Sequence, residues 1–456
     1  MRRGLPVIVA GFALAMLAAS PARAQMPGQI IVAPPPESAD QKETALESTF
    51  RERLLEPGRL RVTGDLAKTL EGLPAFLRDT NFTFKPRTYY FDQASDPNGK
   101  IEQAWALGGS LEYKSGLAWD RVWVGAEFFG SWPLYTGPNA GDTLLLTSQG
   151  SSYTVLGQAY VAANLSETNQ LVAGDFTSVD TPYANRQFNR MTPNAFQGAL
   201  FNGYIGDPHE PQRLHYLVGY LDKIKERNST DFIPMSQAAG SSVSHGTAIG
   251  AARYTQGDVA VGLAEYYTAQ VLNIVYLGAA YTPRLSGPYE LKLSAQFTDE
   301  RSLAGTSGTP LPNQWGVEAV GSRDFAVLTL SFTQTSNAAN LSSPWGDSPS
   351  FTRTEIHNNA RAGENAALGM LSYHFNRLGL PGVSAAAVGA YYWDAVSTAS
   401  NPQPNQTEVD LYLDYKIPKG ALGGLWFRLQ RNWEWNAGSG QTTQWRGIIY
   451  WEVPLI

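Results

Sequence analysis

Arg428 and Gln430 stand two residues apart in the run "LGGLWFRLQRNWEW" (422–435), alternating with Leu425, Phe427 and Leu429. In an extended chain successive side chains point to opposite faces. One face of this run is therefore oily, and the other carries a guanidinium and an amide. The pattern recurs at both ends of a long stretch of sequence. In "FTFKPRTYYF" (82–91) Lys85 and Arg87 share a face with Tyr89, opposite Phe84 and Tyr90. Near the C-terminus Arg446, Tyr450 and Glu452 oppose Trp445, Gly447, Ile449 and Trp451. A guanidinium holds a carboxylate through two parallel hydrogen bonds, so the chemistry on offer is recognition of an anion. Two structural uses compete with it: an arginine on such a strand snorkels to an interface, and Arg446 forms an ion pair with Glu452.

Residues that make or break bonds are poorly represented. The five histidines (His209, His215, His245, His357 and His374) lack metalloprotease spacing, and neither a G-x-S-x-G elbow nor a phosphate loop occurs. The absence of cysteine removes disulfides and thiolate metal sites. The sequence therefore implies no cofactor, no metal and no enzyme. A hydrolase built on a barrel and a soluble exported β-protein that binds carbohydrate stay open as alternatives, because a triad is set by geometry rather than spacing.

The elements that would position these arginines form a long series. From Phe76 onward, alternating segments of roughly ten residues are separated by Gly, Asn, Asp and Pro. About eighteen strands are predicted, from 82–93 and 103–114 through 259–268 and 383–393 to 425–433 and 444–455. "LEYKSGLAWD", "VAANLSETNQ" and "ARYTQGDVAV" join consecutive runs through tight polar turns. Segments 135–152, 225–245 and 335–366 are long and polar. Short turns at one end and long loops at the other are the asymmetry of an outer-membrane barrel. A soluble sandwich would bury the apolar faces against a second sheet, and alternation alone fits that too. Charges on the opposite face, with Tyr113, Trp132, Tyr415, Trp433 and Trp435 near strand ends, favour lipid outside and water inside. A lipid-facing sheet leaves no edge unpaired, so it closes. The predicted fold is all-β: a transmembrane antiparallel β-barrel with a lumen wide enough for water.

The chain opens "MRRGLPVIVAGFALAMLAASPARAQ", with a basic start, an apolar core and Ala22-Arg23-Ala24 before Gln25. This is the pattern of a secretory signal peptide. Residues 25–75 are polar and proline-punctuated, with one helix predicted over 41–55. The expected organisation is a signal peptide at 1–24, a polar periplasmic segment at 25–75 and the barrel at 76–456. Losing the three leader arginines takes the formal charge from −6 to −9. That disfavours a nucleic-acid partner, which needs a basic surface to displace counterions.

Several stretches resemble the OprD-like porins, substrate-specific channels of Gram-negative outer membranes. They are "FLRDTNFTFKPRTYYFDQ", "WALGGSLEYKSGLAWDRVWVGAEFFG", "YTVLGQAYVAANLSETNQLVAGDF" followed by "DTPYANRQFNRMTPNAFQG", "LGMLSYHFNRLGLPGVSAAAVGAYYWDA" and "QWRGIIYWEVPLI". The resemblance spans roughly residues 76–456. It implies an eighteen-stranded barrel, export to the outer membrane, and a third external loop folded inward as a constriction. It also implies small polar solutes as partners, carboxylates among them, outer-membrane lipid around the barrel, and a monomer in preference to a trimer. Lumen arginines would guide the solute; Arg87 matches the first of them, and Arg428 with Gln430 stands where the family pairs two. In the loop 176–192 the resemblance brings Asp180, Arg186 and Arg190 against a passing solute, where little water screens them; a loop lying over the rim would not. Asp347 and Arg361 in 335–366 are further charges of this kind. The departures are the missing second arginine, Glu408 and Asp410 where basic residues often stand, and Ile456 in place of a final aromatic.

Overall fold

Alternation carries directly into architecture. The computed structural model describes residues 69–455 apart from 71, 97, 208–209, 305–310, 324, 358–360, 398–400 and 439. The leader, most of 25–75 and the helix predicted over 41–55 lie outside the described residues. Eighteen long strands follow one another: β1 (Asn81–Ser95), β2 (Lys100–Lys114), β3 (Val122–Thr136), β4 (Tyr153–Asn164), β5 (Asn169–Phe176), β6 (Ala195–Ile205), β7 (Gln212–Lys225), β8 (Thr247–Gln256), β9 (Val259–Thr268), β10 (Leu272–Tyr281), β11 (Tyr289–Ser302), β12 (Asn313–Arg323), β13 (Ala326–Thr335), β14 (Asn365–His374), β15 (Val383–Trp393), β16 (Gln406–Lys416), β17 (Trp426–Asn436) and β18 (Gly440–Tyr450). Each pairs antiparallel with its neighbours in sequence, and β1 pairs with β18 from Arg87↔Tyr450 to Ser95↔Thr442. The sheet therefore closes into a barrel and has no free edge.

Every predicted strand has its counterpart, with ends shifted by a few residues, but the last one is interrupted. The segment 444–455 is not continuous: β18 ends at Tyr450, and Val453–Pro454 re-pairs with Thr83 and Phe84. Pro86 of β1 explains the break. Its carbonyl accepts the Trp451 N–H at 3.1 Å, but proline has no N–H to return on that side. Opposite Pro86 on the other side lies Gly109, at φ 122°, where a Cβ would fall 1.9 Å from the Lys85 carbonyl oxygen. Only glycine fits so close an approach.

The two faces differ as lipid and water require. Leu330, Leu413 and Leu429 point outward and are about half exposed, while Arg428, Gln430 and Asn432 point inward and are buried in the lumen wall. Outward aromatics gather near both ends of the strands. Phe82 with Tyr113 and Tyr415 with Phe427 pack at one end, Tyr391 with Trp393 and exposed Trp435 at the other. No helix among the described residues is long and apolar enough to cross a membrane. The short helix Ala75–Arg78 instead sits under the β2–β3 turn, where the Gly116 N–H donates to the Phe76 carbonyl at 2.9 Å.

The longest connections, 137–152, 177–194, 226–246 and 336–364, all leave the rim opposite that helix. Two of them turn into the barrel. Ala184 forms a parallel bridge with Trp345, so 177–194 and 336–364 are joined to each other inside the lumen. Val179, Tyr183, Ala184 and Trp345 are fully or almost fully buried and pack on Leu217, Ile249, Ala264 and Ile274 of β7–β10. The Tyr183 hydroxyl donates to Thr298 at 3.1 Å, and the Trp345 indole donates to the Met235 carbonyl of 226–246 at 2.8 Å. Apolar side chains on both loops are what hold them inside.

Candidate functional site

Strand register sets the heights of the lumen side chains. Following pairs across β1, β18, β17 and β16 gives successive rows. The lowest is Arg87–Tyr450–Trp426. Above it come Tyr89–Ile448–Arg428–Asp414, then Phe91–Arg446–Gln430–Tyr412, then Gln93–Gln444–Asn432–Asp410. Arg87 and Arg428 are thus two strands apart and one inward step out of level. At roughly 4.8 Å between strands and 6.8 Å per two residues, their backbones are about 12 Å apart.

Most of the cations are already engaged. Arg428 makes a bidentate pair with Asp414 at 2.8 and 3.1 Å, and the Trp426 indole donates to the same carboxylate at 2.8 Å. Arg446 pairs with the Glu355 carboxylate from loop 336–364 and donates to its carbonyl at 3.3 Å. Glu452 instead accepts the Tyr450 hydroxyl at 2.7 Å. Lys85 bridges Glu112 at 2.7 Å and Glu127 at 3.0 Å. Arg186 and Asp180 pair with each other at 3.4 Å and remain exposed to the lumen. Arg190 donates to the Thr143 carbonyl at 3.1 Å and lies 5.1 Å from the Phe91 ring. Gln430 and Asn432 lie 3.1 Å apart, and Asn432 is 2.8 Å from Gln444, an uncharged amide relay up the wall. Arg361 pairs with Glu364, and Asp347 with Arg353 at 2.7 Å.

Arg87 differs from these. No carboxylate among the described residues pairs with it, and its Nε has no hydrogen-bond partner. Its guanidinium lies 4.5 Å from the Phe188 ring of loop 177–194, with Tyr89 and Tyr450 also within 6 Å. A guanidinium facing aromatic rings and no acid keeps its charge uncancelled, although only 4% of Arg87 is exposed. A bidentately paired one offers mainly a dipole.

Above Arg87 the two inward loops and the β1–β18 wall enclose a polar chamber of about 400 Å³. Arg190, Asp347, Arg353, Glu355, Gln444 and Arg446 line it. Its acids and bases alternate, so its field is patterned rather than of one sign. One residue the sequence placed only as a departure proves to be an anchor. Glu408, fully buried, accepts from the Thr354 hydroxyl at 2.6 Å and from the Ile356 and His357 N–H groups at 2.8 and 2.9 Å. It thereby fastens the tip of 336–364 to β16. Among the described residues no group of three or more His, Asp or Glu side chains is arranged to hold a metal ion.

A family model for "outer membrane porin, OprD family" matches residues 74–449. Several solved structures share the fold. OccK9 (OpdG) of Pseudomonas aeruginosa aligns at 21% identity with TM-score 0.73, covering 84% of this chain and all of that one. OpdK of the same organism, solved with vanillate, aligns at 20% identity and 0.72, covering 83% and 100%. OccAB1 of Acinetobacter baumannii aligns at 17% and 0.74, covering 84% and 98%. At these identities the likeness is one of fold. No match was found among curated proteins.

Proposed function

The chain belongs to the OprD family of outer-membrane porins, and from that premise we propose a passive, partly selective channel for small polar solutes such as amino acids and organic acids. Its place is the Gram-negative outer membrane. Residues 1–24 serve as a cleaved leader, and 25–75 stay on the periplasmic side. The observation that carries the reading is the constriction: a polar lumen narrowed by 177–194 and 336–364 to a chamber of about 400 Å³. That space admits a small solute and would hold back a large one.

Selectivity follows from which charges are spoken for. A solute carboxylate crossing the chamber meets acids and bases in fixed pairs, then Arg87, whose charge is uncompensated. Two opposite charges 4 Å apart attract by about 1 kcal/mol in water and about 4 kcal/mol at an effective dielectric of 20. Arg87 alone therefore gives a mild anion preference. The vanillate in the OpdK structure is a small carboxylate of the class proposed here. Purified protein in planar bilayers tests the reading. It should give stepwise KCl conductance, with a reversal potential shifted toward the anion and uptake of amino acids and carboxylates in liposome swelling. A protein that inserts but passes neither ions nor solutes would overturn it.

A further inference from the structure

Below the constriction, on the wall away from Arg428 and Arg446, a second set of cations faces the lumen. Arg253 of β8 and His215 of β7 are direct cross-strand partners on the inward face. Lys292 of β11 faces the same space. Neither Arg253 nor Lys292 forms an ion pair with any described residue. His215 is buried, its ring stacked on Tyr204 at 4.5 Å, and its Nε2 has no partner. The carboxylates of the neighbouring wall take hydrogen bonds elsewhere: Glu290 from Ser322 at 3.2 Å, Glu318 from Ser331 at 3.0 Å and Glu300 from Ser342 at 3.0 Å. No acid lines the recess that these cations share.

The rest of the recess is apolar and flat. Between Arg253 and β11 the register places Gly262 and Gly278 in one row, with Ala264 and Tyr276 in the next. Gly262 leaves a depression in the central row, bounded by the Tyr276 ring, which lies over Gly278 3.2 Å from where a Cβ would sit. Its roof is Thr181 and Pro182 of one constriction loop and Phe351 of the other, and Leu217 closes one side. Cations at the margin of a shallow apolar floor match an amphiphile with one negative charge, because half-buried cations without an acid partner and uncovered apolar surface are satisfied together.

We propose that this recess is a second binding station, taking organic monoanions with an apolar body as they leave the constriction. Arg253 engages the carboxylate, Lys292 adds to the field, His215 offers its unpartnered Nε2 as a hydrogen-bonding group, and the floor at Gly262 receives the hydrocarbon. The proposal rests on the porin reading. It separates solutes by their apolar part, which the polar chamber above does not do.

Hexanoate is the probe, with acetate (charge without body) and hexanol (body without charge) as controls, each added to single channels conducting KCl. Hexanoate should interrupt the current at concentrations where the two controls do not. Arg253→Gln should raise its half-blocking concentration at least tenfold. Gly262→Val should do the same without altering charge. A Cβ at Gly262 meets only ordinary contacts, the nearest at 3.5 Å to the Ala252 carbonyl, so valine fills the floor without forcing the backbone. The KCl current of each variant shows that it has folded. A wild type that conducts KCl but is not blocked by hexanoate, or block indifferent to both substitutions, overturns the recess and leaves the porin intact. Block by acetate equal to that by hexanoate removes the apolar floor from the proposal. No KCl current in the wild type would instead defeat the porin reading itself.

Discussion

Replacing Glu408 with glutamine should loosen the tip of loop 336–364 and show itself as current fluctuation. Glu408 accepts three hydrogen bonds, from the Thr354 hydroxyl and the Ile356 and His357 amides, all between 2.6 and 2.9 Å. Bonds to a charged acceptor are worth about 1.5–3 kcal/mol each against 0.5–1.5 for neutral ones. Glutamine keeps one oxygen but removes the charge and turns an NH2 toward groups that themselves donate. Losing about 1 kcal/mol from each of three bonds totals roughly 3 kcal/mol. That is a shift of about a hundredfold toward the detached tip, since 1.4 kcal/mol is tenfold. The tip would not leave permanently, because Arg446 and Tyr412 still hold Glu355, and His357 still meets Glu364 at 3.0 Å. Brief upward steps in single-channel current are therefore expected at least ten times as often as in the wild type, at unchanged gel heat-modifiability. If a folded Glu408→Gln channel has the conductance and noise of the wild type, the tip is not held by this carboxylate and the anchor argument is wrong.

Three further outcomes follow. Arg87→Gln should lower anion preference in reversal-potential measurements, whereas Asp414→Asn should raise it by releasing Arg428 from its carboxylate. Both changes should shrink as salt rises, because screening acts over about 10 Å at 0.1 M; a shift of the same sign in both variants would contradict the pairing logic. Leu330→Arg puts a charge on the lipid face near the middle of β13 and should cost about 2–4 kcal/mol in reversible unfolding from lipid vesicles, and an unchanged midpoint would mean that this face does not meet lipid. Deleting 25–75 should leave a heat-modifiable, conducting barrel, and failure to insert would make that segment part of assembly.

The strands were legible because their signal is local. A period of two needs only a dozen residues to declare itself, and lipid outside with water inside forces the same alternation on every strand. The orientation of Arg428, Gln430 and Arg446 followed from that period alone. Their charge state did not, for reasons of distance along the chain. Asp414 lies one hairpin from Arg428, and their pairing could have been found by laying β16 against β17 across the 417–425 turn. Glu355 is 91 residues from Arg446 and reaches it only because a loop folds back through the barrel. Nothing near Arg446 announces this, and its sequence neighbour Glu452 was the natural partner to suspect.

The same reasoning explains why an arginine count misjudges this lumen. Six of the cations marked by pattern and resemblance lie in the described wall or loops with a carboxylate or carbonyl already in place, and the sources of those partners differ: a neighbouring strand for Arg428 and Lys85, a distant loop for Arg446, the 137–152 loop for Arg190, and their own loop for Arg186 and Arg361. A buried cation without such compensation is costly, so a wall that carries many of them has to supply partners. Arg87 escapes this because aromatic faces, Phe188 above all, take the place of an acid. Rings stabilise a guanidinium without cancelling its charge. Phe188 is thus the side chain that lets one cation stay both buried and unspent. Substituting it with leucine should leave the fold intact yet loosen Arg87, weakening anion preference without removing any charge from the channel; a Phe188→Leu channel with wild-type selectivity would show that the ring plays no part in holding Arg87 toward the solute.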